Sequence, residues 1–124
     1  MGLDSKQIND LSIGIKLAKE LKASELCYRK FSTIQGYIYN DKGHAIKPDK
    51  FLKANKINDI LFEVRIYELS IEYYTNGWDV TEDDLVNEIY IDDIKGIEEL
   101  ELILNKYITD YSDLKPEWYS DNLF

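Results

Sequence analysis

The sequence predicts an α+β fold: a single domain with a long N-terminal helix or helix pair, a small antiparallel sheet around a bulged central strand, and a C-terminal amphipathic helix. Three observations carry this expectation. Apolar residues recur at helical spacing from Ile8 to Leu26. Residues 60–74, ILFEVRIYELSIEYY, alternate apolar and polar with one slip of phase. Residues 97–107, IEELELILNKY, carry an apolar stripe of Leu100, Ile103, Leu104 and Tyr107. If 60–74 were a buried helix instead, the alternative would be an all-α chain. A length of 124 residues suits one domain spanning 1–124.

The first helix is expected over residues 4–31. Asp4 or Ser5 caps it, and Ile8, Leu11, Ile15, Ala18, Leu21 and Leu26 share a face. Ser12 and Gly14 weaken its middle and leave open a division into two helices. Residues 36–46, GYIYNDKGHAI, form a hairpin with Gly43 in the left-handed position. Pro48 begins a short helical piece, PDKFLKANKI.

Residues 60–74 are ambiguous between strand and helix. On a helical wheel the polar residues fall on two arcs, Glu63 and Ser70 on one, Arg65, Glu68, Glu72 and Thr75 on the other. As a strand, Ile60, Phe62, Val64 and Ile66 alternate, and then Tyr67, Leu69, Ile71 and Tyr73 do so one residue out of phase. A β-bulge produces such a slip. Val, Ile, Tyr and Phe also favour strand, and strand is the reading adopted. The following Asn76-Gly77 pair suits a type I′ hairpin turn or a helix C-cap. Thr81 and Asp84 have capping-box spacing ahead of a short helix near 82–87, and residues 88–92 suit a short strand. Glu98, Glu99 and Glu101 enrich the first turns of the helix at 97–107, where the helix dipole favours negative charge. The aromatic tail DLKPEWYSDNLF is expected to pack down.

Charge is unevenly spread. The net charge is −9, but residues 1–62 hold 11 basic and 7 acidic side chains, whereas residues 63–124 hold 4 and 17. A basic half and an acidic half bear on partners rather than on fold. The acidic half should repel nucleic acid and attract a basic protein surface.

Catalytic chemistry is hard to find. With one histidine, His44, and one cysteine, Cys27, a histidine pair for zinc is impossible and no second thiol is available. Cys27 among apolar helical residues is expected to be a buried inert thiol, although the sequence does not forbid a Cys27–His44 nucleophile–base pair. Asp79, Thr81 and Asp83 match positions 1, 3 and 5 of a calcium loop, but Asp84 replaces the required Gly and Tyr90 the required Glu. No phosphate-binding glycine loop or nucleophile elbow is present. The expectation is a chain that is not an enzyme and uses no cofactor or metal. A single cysteine, an N-terminal MGLDSKQIND without signal-peptide character and the lack of a long apolar run point to the cytoplasm and away from a membrane.

Two functional classes follow. Residues 17–24, LAKELKAS, with ELCYRKF after them and GYIYNDKGHAI as a wing, resemble helix-turn-helix DNA-binding proteins. That resemblance implies groove-facing roles for Ser24, Arg29 and Lys30 in a regulator whose acidic half dimerises or binds an effector. The preferred class rests on YYTNGWDVTEDD, residues 73–84, and the acids after it. Small size, acidity and aromatics set among acids make the chain similar to bacterial toxin-immunity proteins and to phage-encoded nuclease inhibitors, including anti-CRISPR proteins. The similarity implies an inhibitor that occludes a basic partner, a nuclease toxin or CRISPR effector, with carboxylates standing where phosphates would bind. The candidate anchors are Tyr73, Trp78 and Tyr90; the candidate charges are Asp79, Glu82, Asp83, Asp84, Glu88, Asp92 and Asp93.

Overall fold

The computed structural model describes residues 2–48, 60–122 and 124. The chain opens with a helix, α1 (Ser5–Ser12). The Asp4 carboxylate accepts from the Gln7 amide at 2.8 Å while the Gln7 side chain accepts from the Asp4 amide at 2.9 Å. This reciprocal cap satisfies two of the orphan donors at the helix start. The helix stops at Ile13, and Gly14, at φ +85°, turns the chain away.

Strands β1 (Leu17–Leu21) and β2 (Tyr28–Tyr39) follow, then β3 (Ala45–Ile46). After residues 49–59 come β4 (Leu61–Ser70), helix α2 (Ile71–Asn76), β5 (Val86–Lys95), helix α3 (Gly96–Leu104) and a short β6 (Lys115–Pro116). The sheet runs β5-β4-β2-β1-β6 with antiparallel pairing throughout, and β3 pairs with the end of β2.

The expected fold class is therefore corrected. The architecture is mixed α/β, a six-stranded antiparallel sheet with three short α-helices among the described residues. The long N-terminal helix or helix pair is absent, as is the all-α alternative. Residues 17–21, LAKEL, are good helix formers, but Leu17 and Ala18 are buried against β2, with Leu17 opposite Ile34. Pairing with β2 from Leu17–Ile34 to Leu21–Lys30, on a strand already held by β4, overrides the local preference. Leu26, assigned to the helical stripe, is 98% exposed. Cys27 is also exposed, in the turn before β2, and not buried in a helix.

The run 60–74 is neither wholly strand nor wholly helix. β4 ends at Ser70, whose hydroxyl caps α2 by accepting from the Glu72 amide. Gly77, at φ +63°, closes that helix, so Asn76-Gly77 is a helix terminus and not a hairpin turn. The phase slip at Ile66-Tyr67 has a different cause from the one expected. Phe62, Val64 and Ile66 face one core, with Ile34, Leu17, Ile94 and the covering Leu11, Leu100 and Leu104. Tyr67 and Leu69 face a second core on the other side, with Phe31 and the covering Tyr73, Tyr74, Val80, Leu85 and Phe124.

The bulges lie on β5. Phe62 pairs with Ile94, Val64 with Ile91, Ile66 with Ile89 and Glu68 with Val86, so β5 twice supplies an extra residue. Asp93 and Asn87, at φ +52° and +51°, occupy those places. Aspartate and asparagine are the non-glycine residues best suited to that conformation.

Several smaller expectations meet the structure directly. β3 pairs with Ile38 and Tyr39 across a turn holding Gly43 at φ +77°. Thr81 and Asp84 form a reciprocal cap on a 3₁₀ turn, Glu82–Asp84, shorter than the helix expected there. The C-terminal helix stops at Leu104 rather than at residue 107. The helical piece expected after Pro48 falls outside the described residues. The basic and acidic halves are joined in one sheet, with β4 beside β2 and β6 beside β1. No helix among the described residues is long and apolar enough to cross a membrane.

Gly36 marks where α1 meets the sheet. A Cβ there would stand 2.8 Å from the Leu11 carbonyl oxygen and 3.0 Å from Ile60 Cγ2. Gly36→Ala is expected to destabilise the fold by about 1–3 kcal/mol through this overpacking, read as a lower urea midpoint.

Candidate functional site

The second face of the sheet is covered unequally. At the Tyr67 end, α2, residues 80–85 and Phe124 close over it. Toward Tyr39 and Tyr90 it is open among the described residues: Tyr39 is 50% exposed and Tyr90 45%. Alternation along β2, β4 and β5 brings Tyr37, Tyr39, Glu63, Tyr90 and Asp92 around a hollow of about 260 Å³.

The hydrogen bonding of this open end is dense. Tyr37 Oη donates to Asp93 Oδ1 at 2.5 Å and accepts from the Asp93 amide at 2.6 Å. Tyr39 Oη donates to the same carboxylate oxygen at 2.9 Å, and the two rings meet edge to face at 5.7 Å. The left-handed bulge at Asp93 turns this carboxylate toward the tyrosines. Hydroxyl donors, Tyr37 first and then Tyr39, hold the Asp93 carboxyl below its ordinary range. Burial, and then the bond to Asp93, pushes the Tyr37 phenol up. Tyr90 Oη donates to Glu63 Oε2 at 2.7 Å, and burial followed by that bond raises its phenol as well.

Arg65 links this face to the acidic turn. Its Nη1 lies 2.6 Å from Glu88 and 3.8 Å from Glu82, and its guanidinium carbon sits 4.6 Å from the Tyr90 ring centroid and 4.7 Å from that of Phe124. In the turn, Asp84 accepts from the Thr81 amide at 2.7 Å and from Tyr73 Oη at 2.8 Å, and these donors hold its carboxyl low. Tyr73 meets Trp78 edge to face at 5.4 Å, and Trp78 remains 50% exposed.

The expected site residues thus fall into two sets. Tyr73, Asp84, Glu88, Tyr90 and Asp93 are engaged within the molecule, and Glu82 lies at the edge of the Arg65 cluster. Asp79, Asp83 and Asp92 are exposed and carry no ion pair among the described residues. Tyr37, Tyr39, Glu63 and Arg65 were missed. The period-2 spacing of Tyr37 with Tyr39 and of Glu63 with Arg65 was a signal that each pair shares a face.

The residues of the DNA-binding alternative sit in strand and turn, without a recognition helix. Ser24 donates its amide and hydroxyl to Glu68, at 3.0 and 2.8 Å. Arg29, on β2, grips Glu20 through two bonds of 2.8 and 2.7 Å and reaches Asp121 at 2.9 Å. Lys30 stands opposite Glu68 in the β2–β4 register. Cys27 and His44 lie beyond opposite ends of twelve-residue β2, about 40 Å apart at ~3.3 Å per residue, too far for a catalytic pair.

Glu68 is 2% exposed and accepts from Ser24 and from Asn87 Nδ2 at 3.1 Å. Burial opposes its charge; the Ser24 donors, Asn87 and the field of Lys30 together outweigh it and leave the pKa below the ordinary 4.5. A lowered folded pKa contributes stability above the unfolded value, lost as pH falls through the folded one. The protein is expected to hold its urea midpoint from neutrality to about pH 4.5 and then lose it on further acidification. Glu68→Gln should lower the neutral midpoint and make that acid loss shallower. Among known proteins, no family model, curated protein or solved structure matches this chain.

Proposed function

We propose that this chain is a non-enzymatic protein-binding inhibitor of the immunity or anti-defence type, acting in the cytoplasm, whose acidic aromatic surface occludes a basic, nuclease-like partner. One observation carries the reading. Three half-exposed aromatics lie beside carboxylates, Trp78 next to Asp79 in the acidic turn and Tyr39 and Tyr90 with Asp92 around the hollow, and Asp79, Asp83 and Asp92 make no ion pair among the described residues. Large aromatics held by neighbours make low-entropy anchors. Unneutralised carboxylates beside them steer a basic surface into place and disfavour nucleic acid. The net charge of −9 acts in the same direction over longer range.

The division of the acids supports separate roles. Asp84, Glu88 and Asp93 shape the surface by holding Thr81, Arg65 and the tyrosines. Asp79, Asp83 and Asp92 remain for a partner.

Affinity capture from native cells, with the partner identified by mass, is expected to return a basic protein. Association with that protein should slow as salt rises. Replacing Asp79, Asp83 and Asp92 together by Lys should reduce the association rate at low salt by about tenfold or more, with the folded-state spectrum unchanged. Trp78→Ala should act mainly on dissociation. Recovery of nucleic acid alone, or salt-independent association, would overturn the reading.

A further inference from the structure

Both arginines of this chain are seated in the same way. Arg29 makes two bonds to Glu20 while its guanidinium carbon lies 4.5 Å from the centroid of Tyr74 and 5.3 Å from that of Phe31. Arg65 bonds Glu88 at 2.6 Å while lying over Tyr90 and Phe124. Each guanidinium has a carboxylate at hydrogen-bond distance and two aromatic ring centroids within 5.3 Å, the combination that suits arginine better than lysine.

The hollow at the open end of the sheet presents the same groups to the outside. Tyr39 and Tyr90 supply rings, and Glu63 and Asp92 supply carboxylates. The rings are already held, Tyr39 by Asp93 and Tyr37, and Tyr90 by Glu63. That preorganisation lowers the cost of receiving a ligand. The bond from Tyr90 uses Glu63 Oε2 and leaves Oε1 for a second donor. Lys47 stands on the rim as a single positive charge against two negative ones and makes no ion pair among the described residues. A volume of about 260 Å³ falls below the ~300–1,000 Å³ of small-molecule pockets and suits one long side chain.

We propose that the hollow bounded by Tyr39, Tyr90, Glu63 and Asp92 is a receptor for an arginine side chain of the basic partner. The assignment rests on the protein-binding function proposed above and names the chemistry that the partner brings to it. A guanidinium entering the hollow stacks on tyrosine and donates to Glu63 and Asp92, as Arg65 does with Tyr90 and Glu88 on the same strand.

The test uses the full chain, labelled with nitrogen-15, and a blocked arginine amide as the probe. The arginine amide should produce saturable amide shifts at Gln35, Tyr39, Tyr90 and Asp92. The neutral citrulline amide should bind at least tenfold more weakly, and the lysine amide more weakly than arginine. Glu63→Gln and Asp92→Asn should each weaken the arginine response severalfold. Tyr39→Leu, which retains bulk without an aromatic ring, should do the same. Shifts confined to residues 79–84 or to α3, equal binding of citrulline, or variants that bind like the parent would overturn the receptor. The wider reading is tested separately with the captured partner. Salt-sensitive capture that is unaffected by Glu63→Gln, Asp92→Asn and Tyr39→Leu overturns the receptor and leaves the inhibitor reading standing. Arginine binding in the hollow without capture of any basic protein overturns the inhibitor reading and supports the receptor.

Discussion

Burial of β4 on both faces is the constraint on which the molecule depends. A strand in a sheet with one wet face needs cover on one side only. β4 carries Phe62, Val64 and Ile66 into one core and Tyr67 and Leu69 into another, so the chain must supply two covering layers. Each such side chain contributes roughly 1.5–3 kcal/mol when fully buried, and none can be left facing water without losing that. Helices α1 and α3 cover the first side. The second receives α2, the segment after it and Phe124, all drawn from the acidic half of the sequence. The sheet itself sets the order: β2 and β4 pair over ten residues, and the remaining strands extend outward from that ladder.

Among the described residues the second layer is incomplete, and its incompleteness creates the site. Cover ends near Arg65, which lies against both Phe124 of the covering layer and Tyr90 of the open end. Beyond it the sheet displays tyrosine and carboxylate. The two bulges on β5 belong to the same arrangement. One turns Asp93 onto Tyr37 and Tyr39; the other brings Asn87 to the buried carboxylate of Glu68. A regular β5 would keep its side chains in strict alternation and offer neither contact. The bulges and acids also blunt an edge strand that would otherwise be a template for indiscriminate pairing.

Some of this was legible residue by residue. Asp4 as a cap, Gly43 in a left-handed turn and the Thr81–Asp84 box are short-range devices whose partners lie within a few positions, so spacing is sufficient to reveal them. The strand character of Leu61–Ser70 came from the same kind of local pattern. The failures are equally local in origin. LAKEL is helical by preference, yet becomes a strand because Tyr28–Tyr39 lies ready to pair with it. The slip at Ile66-Tyr67 suggested a bulge because a one-residue change of phase has two physical causes, an extra residue or a second core. Of the candidate site, the acidic turn and Tyr90 could be named in advance, whereas Tyr37, Tyr39 and Glu63 acquire meaning only beside β5.

The sequence by itself determined the Asp4 and Thr81–Asp84 caps, the turn at Gly43, the charge imbalance and the absence of familiar catalytic motifs, because each depends on residue type and spacing alone. Tertiary structure decided which apolar residues became strand, which strand carried the bulges and which carboxylates were left unneutralised. Those outcomes depend on pairs far apart in the chain, such as Arg29 with Asp121 and Tyr37 with Asp93. Long-range pairing competes with local preference and prevails when it buries more apolar surface and satisfies more backbone hydrogen bonds than a helix in isolation could.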